Sequence, residues 1–251
     1  MKTLRNAVIA IFAGLILMIS CKKSDIALPK SEANIDSIAS KYYEGYLKMY
    51  PLEATMQGDS RYNDLLSNNI SSEFISKEIE FYTETQKKLK SIEYDDLSDE
   101  QKTVYDVLDY TLKDKIERYA YHPELLPFSQ FEGLPLDFPL LGSAEGNQPF
   151  KTTKDYDNWL KRIDAFVIWM TTAEKNFREG MKQNVVLPKK LVVKMIPQMH
   201  SEEIITEDFD KNIFYGPIKK MPKNFSAKDK EKYKILYQEA ISSKIIPAYQ
   251  K

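Results

Sequence analysis

The chain holds two histidines, His122 and His200, and one cysteine, Cys21, so the chemistry it can host is narrow. Zinc hydrolysis takes about three side-chain ligands, an open position for water and a base to activate that water. On a helix the usual arrangement sets two histidines one turn apart with a glutamate between them. His122 and His200 are 78 residues apart, one in a proline-rich stretch and one at the end of a helical pattern. Glu202 and Glu203 follow closely, yet Met199-His200-Ser201-Glu202-Glu203 carries no second imidazole. These residues predict no metal site; they read as one solvated and one helix-terminal histidine. Nucleophilic catalysis has no better footing: no G-x-S-x-G elbow occurs, and no Ser/His/Asp set has a visible context. Carboxylate pairs such as Asp95-Asp96 and Glu202-Glu203 are what 37 acids give by chance, and read as solvated faces. No catalytic residue is expected in the chain.

The lone cysteine has a different reading. Lys2 and Arg5 make a short basic start, residues 7–20 carry no charge, and Met18-Ile19-Ser20-Cys21 closes the segment. That run is too short to cross a bilayer core as a helix, which takes about 20 residues, but suits the apolar part of a secretory signal. A small residue directly before the cysteine resembles a bacterial lipobox, with Met18 where leucine is usual. Residues 1–20 are expected to be a signal peptide, Cys21 the lipidated first residue of the mature chain, and residues 21–30 a polar tether. Several acyl chains on one cysteine hold a protein stably to a membrane. The expected location is the cell envelope of a Gram-negative bacterium, facing the periplasm or on the outer membrane, with the membrane as partner.

Without Lys2 and Arg5, 34 basic residues face 37 acids, a mature charge near −3. Phosphate neutralisation needs a basic excess, so no nucleic-acid partner is expected. A single cysteine excludes an intramolecular disulfide, and the fold must rest on burial. At 43 % hydrophobic and 12 % aromatic the chain can build one core. Only 8 Gly against 16 Tyr and 12 Phe predicts long helices with aromatic packing rather than a turn-rich β protein.

Apolar residues recur at helical spacing through most of the chain. Ile35, Ile38, Tyr42, Tyr46 and Leu47 predict a first helix over 31–50, ended by Pro51, with a loop over 59–69. Tyr42, Tyr43, Tyr46 and Tyr50 read as core and rim rather than a ligand platform. Ser71 or Ser72 caps a second helix carrying Phe74, Ile75, Ile79, Tyr82 and Leu89. Ser98-Asp99-Glu100-Gln101 is a capping box for a third, with Val104, Leu108, Leu112 and Ile116 on one face. Residues 122–150 break the pattern with five prolines and three glycines; so long an irregular segment in a compact domain is usually functional or a cover. Thr152 or Thr153 caps a long helix to about Gln183, striped by Trp159, Ile163, Phe166, Trp169 and Ala173. Pro188 opens another holding Val192, Val193, Ile196 and Met199, which Pro197 kinks or ends early. Ser226 caps a last helix from Ala227 to the end, with Pro247 inside its pattern. The predicted fold is all-α, a multi-helix array with a long Pro/Gly-rich irregular loop.

Five stretches, in order, resemble the domain of unknown function 885 (DUF885) family of bacterial proteins. Tyr50-Pro51-Leu52-Glu53-Ala54-Thr55-Met56-Gln57-Gly58 resembles its opening turn. Gly146-Asn147-Gln148-Pro149-Phe150, with Thr153, Asp155 and Tyr156, resembles the loop before its central helix, and Trp159-Leu160-Lys161-Arg162-Ile163 that helix. Arg178-Glu179-Gly180-Met181 with Leu187-Pro188 resembles the passage that follows, and Ile246-Pro247-Ala248-Tyr249 a helix near the family's midpoint. The likeness covers about residues 31–251. The family is similar to helical zinc metallopeptidases, whose H-E-x-x-x-x-H-type zinc helix would lie in a C-terminal half that this chain lacks. The resemblance thus implies that residues 31–251 are an incomplete half of a larger peptidase-like domain. Zinc would serve the full-length member and no cofactor this chain, and peptide would be the substrate of the whole. It also implies that the loop over 128–150 lies near the substrate cleft, with Asn147, Gln148 and Arg162 as its polar residues, or else packs on the missing half.

Two functions are therefore expected. In one, the chain is the N-terminal part of a lipid-anchored peptidase-like protein and is inactive alone. In the other, it is a complete, non-catalytic helical lipoprotein that binds a ligand or partner. The apolar ending Ile245-Ile246-Pro247-Ala248-Tyr249-Gln250-Lys251, without a glycine cap, reads as a truncation. A missing half predicts that Leu236, Ala240, Ile245 and Ile246 form a bare apolar patch larger than a monomer usually shows.

Overall fold

Side-chain caps fix where the principal helices start. A computed structural model describes residues 34–251; the expected signal peptide, Cys21 and the expected tether lie outside them. Asn34 accepts from the Asp36 amide at the start of α1, Ile35–Met49. Ser71 accepts from Phe74 N–H and opens α3, Ser72–Leu89. The Ser98/Gln101 capping box opens α4, Asp99–Glu117, with both reciprocal bonds formed. Thr152 and Asp155 form a second box on α6, Thr153–Lys182, and Ser226 caps α10, Ala227–Ala240. Each such cap is worth about 1 kcal/mol. Shorter helices complete the order: α2 (Pro51–Met56), α5 (Leu134–Gly142), α7 (Lys189–Met199), α8 (Glu202–Ile205), α9 (Gly216–Lys219) and α11 (Ile246–Gln250). No strand occurs among the described residues, and the fold is all-α.

Prolines account for the departures from the sequence reading. Pro51 stands just past the end of α1, as expected, but it also opens α2, where a missing N–H costs nothing because the first amides of a helix have no partner. Residues 122–150 are not irregular throughout, since α5 lies inside them with Pro139 in its interior. Pro139 leaves the carbonyl of Pro135 without its helical donor, and the Tyr249 hydroxyl supplies one at 2.8 Å. Pro197 sits in the last turn of α7 and shortens little. Before Pro247 the chain widens into a π-turn, Ile241–Ile245. Such a bulge makes room where a proline ring would strike the carbonyl four residues back.

Two faces differ from expectation as well. On α7 Met195 and Met199 are buried while Val192, Val193 and Ile196 are exposed. The patch expected on the last helix is absent: Ala240, Ile245 and Ile246 are buried and Leu236 is partly so. They pack into the main core, where Phe138 of α5 stacks on Phe166 at 4.0 Å and on Trp159 at 4.6 Å between ring centres. α5 approaches so closely that a Cβ on Gly142 would stand 2.4 Å from the Trp159 ring. A smaller core joins α1, α3 and α4 through Ile35, Ile38, Tyr82, Leu89, Leu108 and Leu112.

α6 ties the two together. Its side chains grip the segment between α2 and α3: Lys161 pairs with Asp64, Thr172 accepts from Asn68, Trp169 donates to Asn69, and Asn176 donates to the Ile70 carbonyl.

Candidate ligand-binding cleft

The segment held by α6, the α1–α2 corner and the proline-rich loop enclose a cleft of about 600 Å³. That lies within the usual range for ligand sites. Tyr46 and Tyr50 end α1 and Glu53 sits on α2, because the chain turns at Pro51. Lys115, Arg118 and Tyr119 come from the end of α4 and the 3-10 turn Arg118–Tyr121. His122 then adopts a left-handed conformation, φ 51°, which turns the chain into Pro123–Leu125 and onward to Phe128. Leu134 and Asp137 of α5 close the far side. A narrower arm of about 170 Å³ continues from the cleft and shares Tyr50, Glu53, Asn69, Leu134 and Asp137 with it.

A buried carboxyl group underlies one wall. Glu78, fully buried on α3, accepts from the hydroxyls of Tyr50, Tyr82 and Tyr119. Tyr50 and Tyr119 are also cleft residues, so Glu78 fixes two of its rings from behind. Burial, then the hydrogen bond to Glu78, raises all three phenol pKa values well above the ordinary one. The sequence carried a signal for this: Phe74, Glu78, Tyr82 and Leu89 share the apolar face of α3, and a glutamate there needs partners.

The cleft's other charges are less committed. Among the described residues neither Glu53 nor Asp137 makes a salt bridge or a side-chain hydrogen bond. Desolvation raises the pKa of Asp137. The guanidinium of Arg118 lies 5.5 Å from the Tyr119 ring centre. Glu124 bonds His122 Nδ1 at 3.1 Å through Oε1, while its Oε2 is shut from solvent with no partner. Such a group suits a ligand with several donors and acceptors.

The residues singled out from sequence fall elsewhere. Arg162 is fully buried and acts as a strut: it donates to the carbonyls of Leu65 (3.0 Å), Tyr62 (3.1 Å) and Pro51 (3.3 Å), to Thr55 Oγ1 (2.7 Å) and to Gln148 Oε1. Desolvation lowers its pKa to about 10. Gln148 is buried beside it, and Asn147 donates to the Met56 carbonyl at 3.1 Å. None of the three lines the cleft or its arm. They lock α2 and the following segment onto α6, and so shape the cleft only from outside. The loop they were assigned to does contribute, through Phe128, Ser129, Glu132 and Gly133. His200 caps α7 far along the chain from His122; Trp159 is core, and Trp169 is buried in the core while also lining the cleft. A second cavity, about 430 Å³ and mostly apolar, lies between α6 and the chain's last turns, lined by Met170, Phe177, Met181, Pro247 and Ala248.

Zinc, which the family resemblance implies for a full-length member, finds no fitting donor set here. Among the described residues no three His, Cys, Asp or Glu side chains lie close enough to hold a metal ion. No helix among them is long and apolar enough to cross a membrane. No curated protein matches the chain. The family described as bacterial protein of unknown function (DUF885) matches residues 51–251. That match spans most of the chain, and the protein belongs to the DUF885 family.

Proposed function

We propose that the chain is the ligand-binding part of a lipid-anchored envelope protein, similar to the N-terminal half of a zinc metallopeptidase, and that it binds peptide in the cleft without hydrolysing it. The cleft carries this reading. It is large enough for a short extended chain, and it sets phenols, carboxylates and cations among apolar walls at Leu126, Phe128 and Leu134. A peptide offers donors, acceptors and side chains to match. The donor sets for hydrolysis are not assembled around it: His122 hydrogen-bonds Glu124, and His200 belongs to the end of α7. Zinc and its ligands would come from elsewhere in a full-length protein. Membrane attachment rests on Cys21 and the apolar stretch before it.

One observation favours the second reading, a helical lipoprotein that binds without catalysis in any context. The last helix buries Ile245, Ile246 and Tyr249 in its own core rather than presenting them to a further half. Sequencing the gene past the codon for Lys251 separates the two. An in-frame H-E-x-x-x-x-H-type helix supports the peptidase reading; a stop followed by unrelated sequence supports the binding reading. Purified full chain in detergent, assayed with zinc and a peptide mixture, tests the shared claim. Binding without turnover is expected, and stoichiometric zinc with turnover would overturn it.

A further inference from the structure

We propose that the outer face of α7 seats on an anionic phospholipid surface. Lys189, Lys190 and Lys194 would meet the headgroups, and Val193 and Ile196, joined by Phe131 of the proline-rich loop, would enter the interface. The choice of partner rests on the envelope reading above; the face itself does not depend on the cleft.

Charge is the first observation. Residues 180–201 contain no aspartate or glutamate, in a chain whose formal net charge is −1. Lys182, at the end of α6, pairs with Glu179. Lys189, Lys190 and Lys194 are exposed and make no ion pair among the described residues. A slightly negative protein is drawn to an anionic surface only by turning such a face toward it. Each lysine close to that surface contributes about a fivefold gain in affinity.

Exposed apolar side chains are the second observation. Buried Met195 and Met199 fix which side of α7 faces the core. Val193 and Ile196, each 55 % exposed, stand about one turn apart on the other side. Lys190 and Lys194 make a parallel row beside them. Gln198 donates to the Gln130 carbonyl at 3.1 Å and fixes the loop against the end of α7. Phe131, next in the chain, is 78 % exposed. Lysines beside apolar residues on a helix, with an aromatic next to them, are the pattern of a segment that lies in a membrane interface.

Comparable surfaces lack one feature or the other. On α4, Val107 and Tyr110 are exposed, but Asp106, Asp109 and Asp114 stand among them. Residues 211–228 also lack acids, yet Lys211 pairs with Asp208 and Lys220 with Glu145, and no large apolar side chain there is exposed. The acids nearest α7 in the chain and loop sit at its edges: Glu132 lines the cleft, and Glu202 begins α8.

The test is hydrogen exchange, read by mass spectrometry, on the full chain reconstituted with vesicles. One set is phosphatidylcholine; the other carries a third of phosphatidylglycerol. Amide exchange over residues 186–199 is expected to slow at least about tenfold on the anionic vesicles, and high salt should remove the slowing. A variant with Lys189→Glu, Lys190→Glu and Lys194→Glu should exchange alike on both sets. Its melting curve checks folding, which should survive because the three lysines have no ion pair to lose among the described residues. Val193→Trp gives a second readout: its emission should shift to shorter wavelength on the anionic vesicles, against the steady signal of buried Trp159 and Trp169. Equal exchange and emission on both sets, with the chain floating on both, overturns the inference and leaves the envelope reading intact. Floating only on anionic vesicles, with α7 protected, supports the inference and sinks the lipid anchor. Floating on neither sinks both. Protection that follows protein concentration rather than phosphatidylglycerol means a second copy covers the face, and overturns the inference too.

Discussion

The hydroxyl of Tyr249 donates to the carbonyl of Pro135 at 2.8 Å and completes the turn that Pro139 interrupts. One residue of the last helix thereby holds α5, which carries Asp137 and Leu134 into the cleft. Tyr249→Phe leaves that buried carbonyl unpaired, at a cost of about 1–3 kcal/mol. For a chain of this size the melting temperature should fall by about 2–4 °C per kcal/mol. Thermal circular dichroism measures it, and an unchanged melt would show that water serves the carbonyl equally well.

How far such detail could be read from the sequence depended on how local its cause was. The Ser98/Gln101 box, the cap at Thr152 and the stripe from Trp159 to Ala173 rest on short-range spacing, and all stand where the sequence places them. α5 was hidden because its prolines signal a break, and the group that rescues it lies 114 residues away in sequence. The cleft was half legible. The proline-rich loop pointed to it, but Asp137 joins Tyr50 and Glu53 only through long-range packing. Arg162 was noticed for its charge; its burial depends on carbonyls from a segment about 100 residues earlier.

Arg162 gives the largest single effect expected. Arg162→Leu strands the carbonyls of Pro51, Tyr62 and Leu65 together with Thr55 and Gln148. Each unmet buried acceptor costs about 1–3 kcal/mol, so a loss above about 3 kcal/mol is expected. Urea denaturation followed by tryptophan fluorescence reads this directly. A loss below about 1 kcal/mol would contradict the strut.

The tyrosines around Glu78 set an alkaline limit. Their folded pKa values are raised above the unfolded value, near 10. The stabilisation is complete below that value and declines as pH climbs past it, because only the unfolded chain releases the protons. Absorbance of tyrosinate against pH should show Tyr50, Tyr82 and Tyr119 ionising together with unfolding. A smooth titration of every tyrosine near pH 10 in a folded protein would refute the cage.

Asp137 follows the same sign in the acid range. Its folded pKa lies above the unfolded value, near 3.9, so the ionised group weakens the fold once pH rises through the folded pKa. Asp137→Asn should raise stability at neutral pH by up to about 0.5 kcal/mol, a small figure because the side chain is exposed. At about pH 3 the two proteins should melt alike. A variant less stable than the parent at neutral pH would mean that Asp137 has a partner in solution.

The central claim is that this chain recognises peptide and does not cleave it. Saturation-transfer NMR on trialanine mixed with the full chain and equimolar zinc tests both parts in one spectrum. The account predicts transfer from protein to peptide, with no alanine or dialanine appearing over hours. Peptide signals untouched by the protein, or products accumulating in proportion to it, would contradict the account.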